Sequence, residues 1–242
     1  MQWQMEICYM RASIISPIIS ENCDLAIENT MILHNPEVKE KLEALGIPVL
    51  VERSSYETHP LGRLEWIRLY GVLFGKEEQA DAFYQEQVAK VEPIMKKDAT
   101  DQTMAFFYVT SNGSVNVRKP GDYIAKMIQL AGGSYLPQAV KEDDENALST
   151  MNMQMEDFYA QAKDADILIY NSTIEGELDS VDTLLAKSPL FADFKAVKEG
   201  KVYCTTADFF QETTGIASFI EDLHAVMTGD TSHELKYLKE VK

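Results

Sequence analysis

The sequence predicts an α/β fold in which two regions of alternating strands and helices flank one long helical stretch. Three observations carry that expectation. A strand-helix-strand pattern runs through CDLAIENTMILHNPEVKEKLEALGIPVLVE. A nearly unbroken helical pattern then passes from HPLGRLEWIRLYGVLFG into KEEQADAFYQEQVAKVEPIMKK. Finally, three further strand patterns, TMAFFYVT, ADILIYNS and KVYCTT, alternate with helical runs. Strands that alternate with helices form βαβ units and therefore a parallel sheet.

In chain order, residues 24–28 read as a short buried strand. Asn35 before Pro36 reads as a helix N-cap with proline at the first helical position. Val38, Leu42 and Leu45 recur at helical spacing, Gly46 supplies a stop, and residues 48–52 form the second strand. From Pro60, an apolar face of Leu64, Ile67, Gly71 and Phe74 is continued past Gly75 by Ala80, Tyr84, Val88, Val91 and Met95. A single helix of that length would reach roughly 57 Å, more than the ~30 Å of a small domain, so it must serve two lobes or bend. Residues 103–110 and 165–172 and the KVYCTT run are strands. SNGSV is a turn, GDYIAKMIQLAGG a helix stopped by its glycines, and two more helices lie at 181–187 and about 215–227. KEDDEN reads as a solvated acidic loop.

Composition narrows the function. Lys plus Arg number 22 against 39 Asp plus Glu, a net charge of −17. That balance repels nucleic-acid phosphates and anionic membrane surfaces. Cys8, Cys23 and Cys204 show no CxxC spacing, and His34, His59, His224 and His233 are scattered, so no metal-ligand spacing is present. GxSxG, GxxxxGK[ST] and strand-following GxGxxG motifs are absent. No run approaches the ~18 apolar residues of a membrane span. The first residues, MQWQMEICYMRASIISPIIS, lack the parts of a signal peptide.

The ordered set LEALGIPVLVE, HPLGRLEWIRLYGVLFGKEEQADAFYQEQ, DYIAKMIQLAGGSYL and SPLFADFKAVKEGKVYCTTADFF resembles the substrate-binding proteins of ABC importers for iron chelates, haem and cobalamin. The resemblance covers about residues 23–229. It implies two Rossmann-like lobes joined by a long backbone helix, with the first lobe incomplete here. The expected division is an atypical segment at 1–22, a remnant of the first lobe at 23–58, the connecting helix at 59–98, the second lobe at 99–229 and a tail helix at 230–242. It further implies a non-catalytic receptor that holds an iron complex or related chelate between the lobes and has no cofactor of its own. The implied partners are an ABC permease and its ATPase, and the receptor is expected to be monomeric. The family is extracytoplasmic, periplasmic or lipid-anchored. Because residues 1–20 match nothing expected, they read as a start in the wrong frame. Codons for YMRASIISPI can be chosen that read YAGKYHQPDY in another frame, a peptide like those preceding this point in related proteins.

Ligands of α/β sheets bind beyond the carboxyl ends of strands. That rule points to Arg53 and Tyr56 after PVLVE, Tyr108 and Asn112 after MAFFYVT, Tyr170 and Asn171 after DILIYN, and Asp208 and Phe209 after VYCTT. Arg118 in SVNVRKPGDY adds a positive group. Aromatic, amide and guanidinium groups suit a planar or anionic chelate. Each tyrosine has core covering as its alternative role, and Glu28, Glu52 and Glu57 are alternative partners for Arg53. The resemblance also places a permease-docking acid at the start of the helix before the middle strand, here Glu156. Two rival readings stand beside the receptor. One is a cytoplasmic α/β enzyme using Asp208, Glu212 or Asp166 as acid or base; the other is a truncated fragment that binds nothing.

Overall fold

The computed structural model describes residues 21–138, 150–209 and 212–242. The leader at 1–20 and the KEDDEN loop lie outside these residues. The described residues divide into two compact units, one ending at Ser55 and one beginning at Tyr56.

In the first unit, β1 (Ala26–Asn29), α1 (Pro36–Ala44) and β2 (Val49–Glu52) form the expected βαβ unit. The strands pair in parallel from Ala26 opposite Val49 to Asn29 opposite Glu52. Leu42 from α1 packs with Ala26 and Ile47 as a small core. Gly46 stops α1 at a positive φ of 82°. Asn35 occupies the N-cap position without a side-chain cap bond.

The second unit differs from expectation at its start. The stretch 59–98 is helical, but as two helices, α2 (Pro60–Phe74) and α3 (Glu77–Met95), and not one. Gly75 closes α2 in the left-handed conformation, and the Lys76 amide returns to the Gly71 carbonyl at 2.7 Å. Glu77 and Glu78 then favour a new helix N-terminus. The helices turn against each other. A Cβ on Gly71 would lie 2.6 Å from that of Ala80. Arg68 pairs with Asp81 at 2.6 Å and lies 4.2 Å from the Tyr84 ring centre.

Next come β3 (Thr103–Val109), β4 (Val115–Arg118), α4 (Tyr123–Leu130), β5 (Ser134–Leu136), β6 (Thr150–Met153), α5 (Met155–Ala162) and β7 (Ile167–Tyr170). They are followed by α6 (Ser172–Glu175), α7 (Val181–Lys187), α8 (Lys195–Lys198), β8 (Val202–Thr205), α9 (Ile216–Thr228) and β9 (Leu238–Glu240). The sheet order is β6-β4-β3-β7-β8-β9, with β5 also paired to β3. Strands β3, β5, β7 and β8 run parallel, while β4 and β9 are antiparallel to their neighbours. The sheet is covered on both faces, as a parallel sheet requires. Met104 and Phe106 meet α2, α3, α4 and α9 on one face. Ala105, Phe107 and Val109 meet α5, α7 and α8 on the other. There Phe107, Phe158, Phe191 and Phe194 pack ring against ring at 4.8–6.4 Å.

The expected tail helix at 230–242 is instead a loop leading into β9. Asp222 on α9 is fully buried, and its carboxylate accepts the amides of Lys236, Tyr237 and Leu238. Those amides are therefore committed to Asp222 and are not available for a helix.

Candidate functional site

The parallel strands end together. Phe107 pairs with Tyr170, and Tyr170 with Cys204, so the carboxyl ends of β3, β7 and β8 form one edge of the sheet. Beyond it, Asn171 donates its amide to the Phe107 carbonyl at 2.7 Å, and Ser172 donates to the Thr205 hydroxyl at 2.9 Å.

Three of the expected residues come together here. Tyr108, Arg118 and Asn171 line a shallow crevice, joined by Asn116, which the strand-end rule missed. Its enclosed volume is about 0 Å³, against the ~300 Å³ of a complete small-molecule pocket, so it is one wall of a site and not a pocket. Asn116 donates to the Asn152 side-chain oxygen across β4 and β6 at 2.8 Å. Arg118 approaches Asp122 at 3.9 Å and stands 5.8 Å from the Phe106 and Tyr123 ring centres. Its backbone is fixed by Tyr135, which accepts from the Arg118 amide and donates to the Arg118 carbonyl. Burial pushes the Tyr135 phenol well up, so it stays a donor. A second guanidinium that sequence reading did not single out, Arg63, stacks 3.7 Å over Tyr123 and donates to the Glu57 carbonyl.

The other expected residues are placed differently. Tyr170 is fully buried in the core, edge-on to Phe107 at 5.7 Å, with its phenol pushed up to about 12 by burial. It is a core residue here, because central β7 is covered on both faces. The Asn112 side chain accepts from Thr110 and the Ser114 amide within the β3–β4 turn. Phe209 packs 4.2 Å from Phe219 on α9, beside exposed Asp208. Arg53 is exposed after β2 in the first unit, and Tyr56 is exposed at the start of the second. Glu156 sits exposed in the first turn of α5, ahead of β7.

The carboxylates of the enzyme reading do not converge. Asp166 lies at the amino end of β7, bonded to Lys195 at 2.5 Å and to the Thr103 amide at 2.7 Å, whereas Asp208 lies past the carboxyl end of β8. Glu212 accepts from the Thr214 hydroxyl. Among the described residues, no group of three His, Cys, Asp or Glu side chains is placed to hold a metal ion. No described helix is long and apolar enough to cross a membrane.

The family described as periplasmic binding protein matches residues 24–209. An uncharacterised lipoprotein of Methanocaldococcus jannaschii is 28% identical over 71% of this chain and 40% of its own length. A second lipoprotein of that organism is 27% identical over 85% of this chain and 53% of its own length. The chain thus spans about half the length of these relatives. Solved structures share the fold. The TroA-like periplasmic binding protein FepB of Veillonella parvula has a TM-score of 0.68 at 15% identity, covering 94% of this chain and 75% of its own. The periplasmic haem-binding protein HutB of Vibrio cholerae gives 0.69 at 15% identity, over 86% and 79%. The ABC-type Fe3+-hydroxamate transport protein of Saccharomonospora viridis gives 0.63 at 21% identity, over 87% and 71%.

Proposed function

The chain belongs to the periplasmic binding protein family, and from that premise we propose that it is the solute-binding component of an ABC importer. Its ligand is an iron chelate such as a siderophore or haem, or a cobalamin-like compound. It delivers this ligand to a membrane permease powered by a partner ATPase, and it works outside the cytoplasm. The observation that carries the reading is the meeting of Tyr108, Asn116, Arg118 and Asn171 in one crevice at the carboxyl edge of the sheet. The half-buried Tyr108 and the Arg118 guanidinium bring an aromatic group and a positive charge to this edge, while Asn116 is bonded to Asn152 and Asn171 caps the helix that follows it, a rigid polar wall that suits a ligand recognised by its rim. The separation of Asp166 from Asp208 weighs against acid-base catalysis, which needs its groups within reach of one substrate.

The test is a fluorescence titration of the full chain with a ferric trihydroxamate, haemin and cyanocobalamin. One of these should bind with one-to-one stoichiometry at micromolar or lower concentration; failure of all three refutes the chelate reading. For docking, Glu156→Ala should bind ligand as wild type does and lose uptake in a reconstituted transporter. Full uptake by that variant removes Glu156 from the docking surface.

A further inference from the structure

Strand β8 ends at Thr205, and the chain leaves the sheet through a short 3-10 turn, Ala207–Phe209, closed by the Phe209 amide on the Thr206 carbonyl at 3.1 Å. Thr206 continues the β8–β9 ladder by donating to the Tyr237 carbonyl at 3.0 Å. The next amide, Ala207, leaves the ladder and donates to Oε1 of Glu177 at 3.1 Å. Both acceptors come from segments about 30 residues away in sequence.

Glu177 is held for this purpose by its neighbours. Gly176 turns the chain out of α6 at a positive φ of 85°, and Leu178 is buried immediately after. The second carboxylate oxygen, Oε2, takes the Lys239 ammonium at 3.3 Å, and Lys239 lies on β9 opposite Cys204 of β8. One carboxylate therefore joins three segments: the α6–α7 loop, the C-terminal strand and the turn that carries Asp208 and Phe209. With side chains 34% and 54% exposed, the Glu177–Lys239 pair contributes little to global stability. Its geometric effect is local.

We infer that Glu177, braced by Lys239, is a positioning residue that fixes the 206–209 turn at the ligand edge. The C-terminal strand is then part of the binding apparatus as well as the end of the sheet. This inference rests on the reading that the strand ends face the ligand.

Amide exchange on the full chain tests the positioning without any ligand. In Glu177→Ala, the Ala207 amide should exchange about tenfold faster, with Cys204 in β8 unchanged within about twofold, because only the local bond is lost. Glu177→Gln keeps an acceptor oxygen and should stay near wild type. Lys239→Met should fall between them, and Lys239→Arg should restore protection. Exchange at Ala207 within twofold of wild type in Glu177→Ala, or equal acceleration at Cys204, overturns the inference. The same variants are then titrated with whichever of ferric trihydroxamate, haemin or cyanocobalamin wild type binds. Glu177→Ala should lose at least about fivefold in affinity, and Glu177→Gln should lose less. Unchanged affinity in Glu177→Ala overturns the ligand-positioning role. If wild type binds none of the three, the chelate reading and the ligand role fall together, while the exchange result still decides the brace.

Discussion

Replacing Asp222 by alanine should be among the most damaging changes to the second unit. The carboxylate is fully buried and accepts four donors: the Tyr237 amide at 2.6 Å, the Lys236 amide at 3.0 Å, the Leu238 amide at 3.2 Å and His233 Nε2 at 2.7 Å. Tyr237 and Leu238 are buried, so in the alanine variant their amides lose a charged acceptor where water cannot replace it. A buried donor left unpaired costs about 1–3 kcal/mol. Two such donors, offset by local relaxation, give a loss of about 2–5 kcal/mol. At roughly 2–4 °C per kcal/mol for a unit of this size, the midpoint should fall by about 4–20 °C. Asp222→Asn keeps one acceptor oxygen and should lose about half as much. Urea unfolding followed by circular dichroism measures the energy, and limited proteolysis reports whether β9 detaches first. A loss below about 1 kcal/mol in Asp222→Ala would refute the idea that this carboxylate holds the C-terminal strand.

Three further expectations follow from the packing. Gly71→Ala should destabilise by about 1–3 kcal/mol in spite of alanine's better helix propensity, because the new methyl would lie 2.6 Å from Ala80 Cβ; a stabilised variant in thermal melts would show that α2 and α3 part easily. Burial pushes the Asp166 carboxyl up, but the bonds from Lys195 and Thr103 outweigh it and hold the group below the usual carboxylate range. Its stabilising contribution is therefore full above the unfolded value of ~3.9 and is lost as pH falls through the lower folded value. The gap in melting temperature between wild type and Asp166→Asn should accordingly be constant at neutral pH and close in acid, and a gap that persists unchanged at pH 2 contradicts this. Finally, Tyr170→Ala should cost about 3–5 kcal/mol as a core truncation, while Arg118→Gln should weaken an anionic chelate about tenfold in fluorescence titrations and also lower the melt, because it takes the guanidinium from beside the buried Asp122 carboxylate; unchanged chelate affinity in Arg118→Gln would remove it from the site.

The parts of the fold most legible in the sequence were those with long, uniform patterns. Strands β3, β7 and β8 are runs of β-branched and aromatic residues, and α4 and α9 are stopped by glycines where the sequence places them. The short strands VNVR, TMNM and LKE were not legible, because three or four residues with polar positions carry too little periodicity to stand out. The break at Gly75 had a signal that an apolar stripe on both sides obscured. A glycine followed by Lys-Glu-Glu is a helix stop followed by a helix start. The tail showed no such signal, because the carboxylate that shapes it sits on α9, over ten residues earlier in the chain.

For the site, the strand-end rule located the right edge of the sheet but not the face on which each side chain would fall. Side chains alternate faces along a strand, and residues directly opposite one another in a sheet share a face. Tyr170 stands opposite Phe107, so it shares the face of the Phe107 ring cluster and is enclosed by α5 and α8. Tyr108 is one residue further along β3 and takes the other parity, opposite Asn116. Two tyrosines at equivalent strand ends thus meet different fates for a reason of register. The same register explains Asn116. With Val115 and Val117 directed into the core, the intervening Asn116 and the following Arg118 must share the opposite face, where Arg118 approaches Phe106 and Tyr123. The alternation in VNVR contained this information. It could be read only once those four residues were recognised as a strand, and their recognition depended on the pairing with β3 and β6, which the sequence alone does not display.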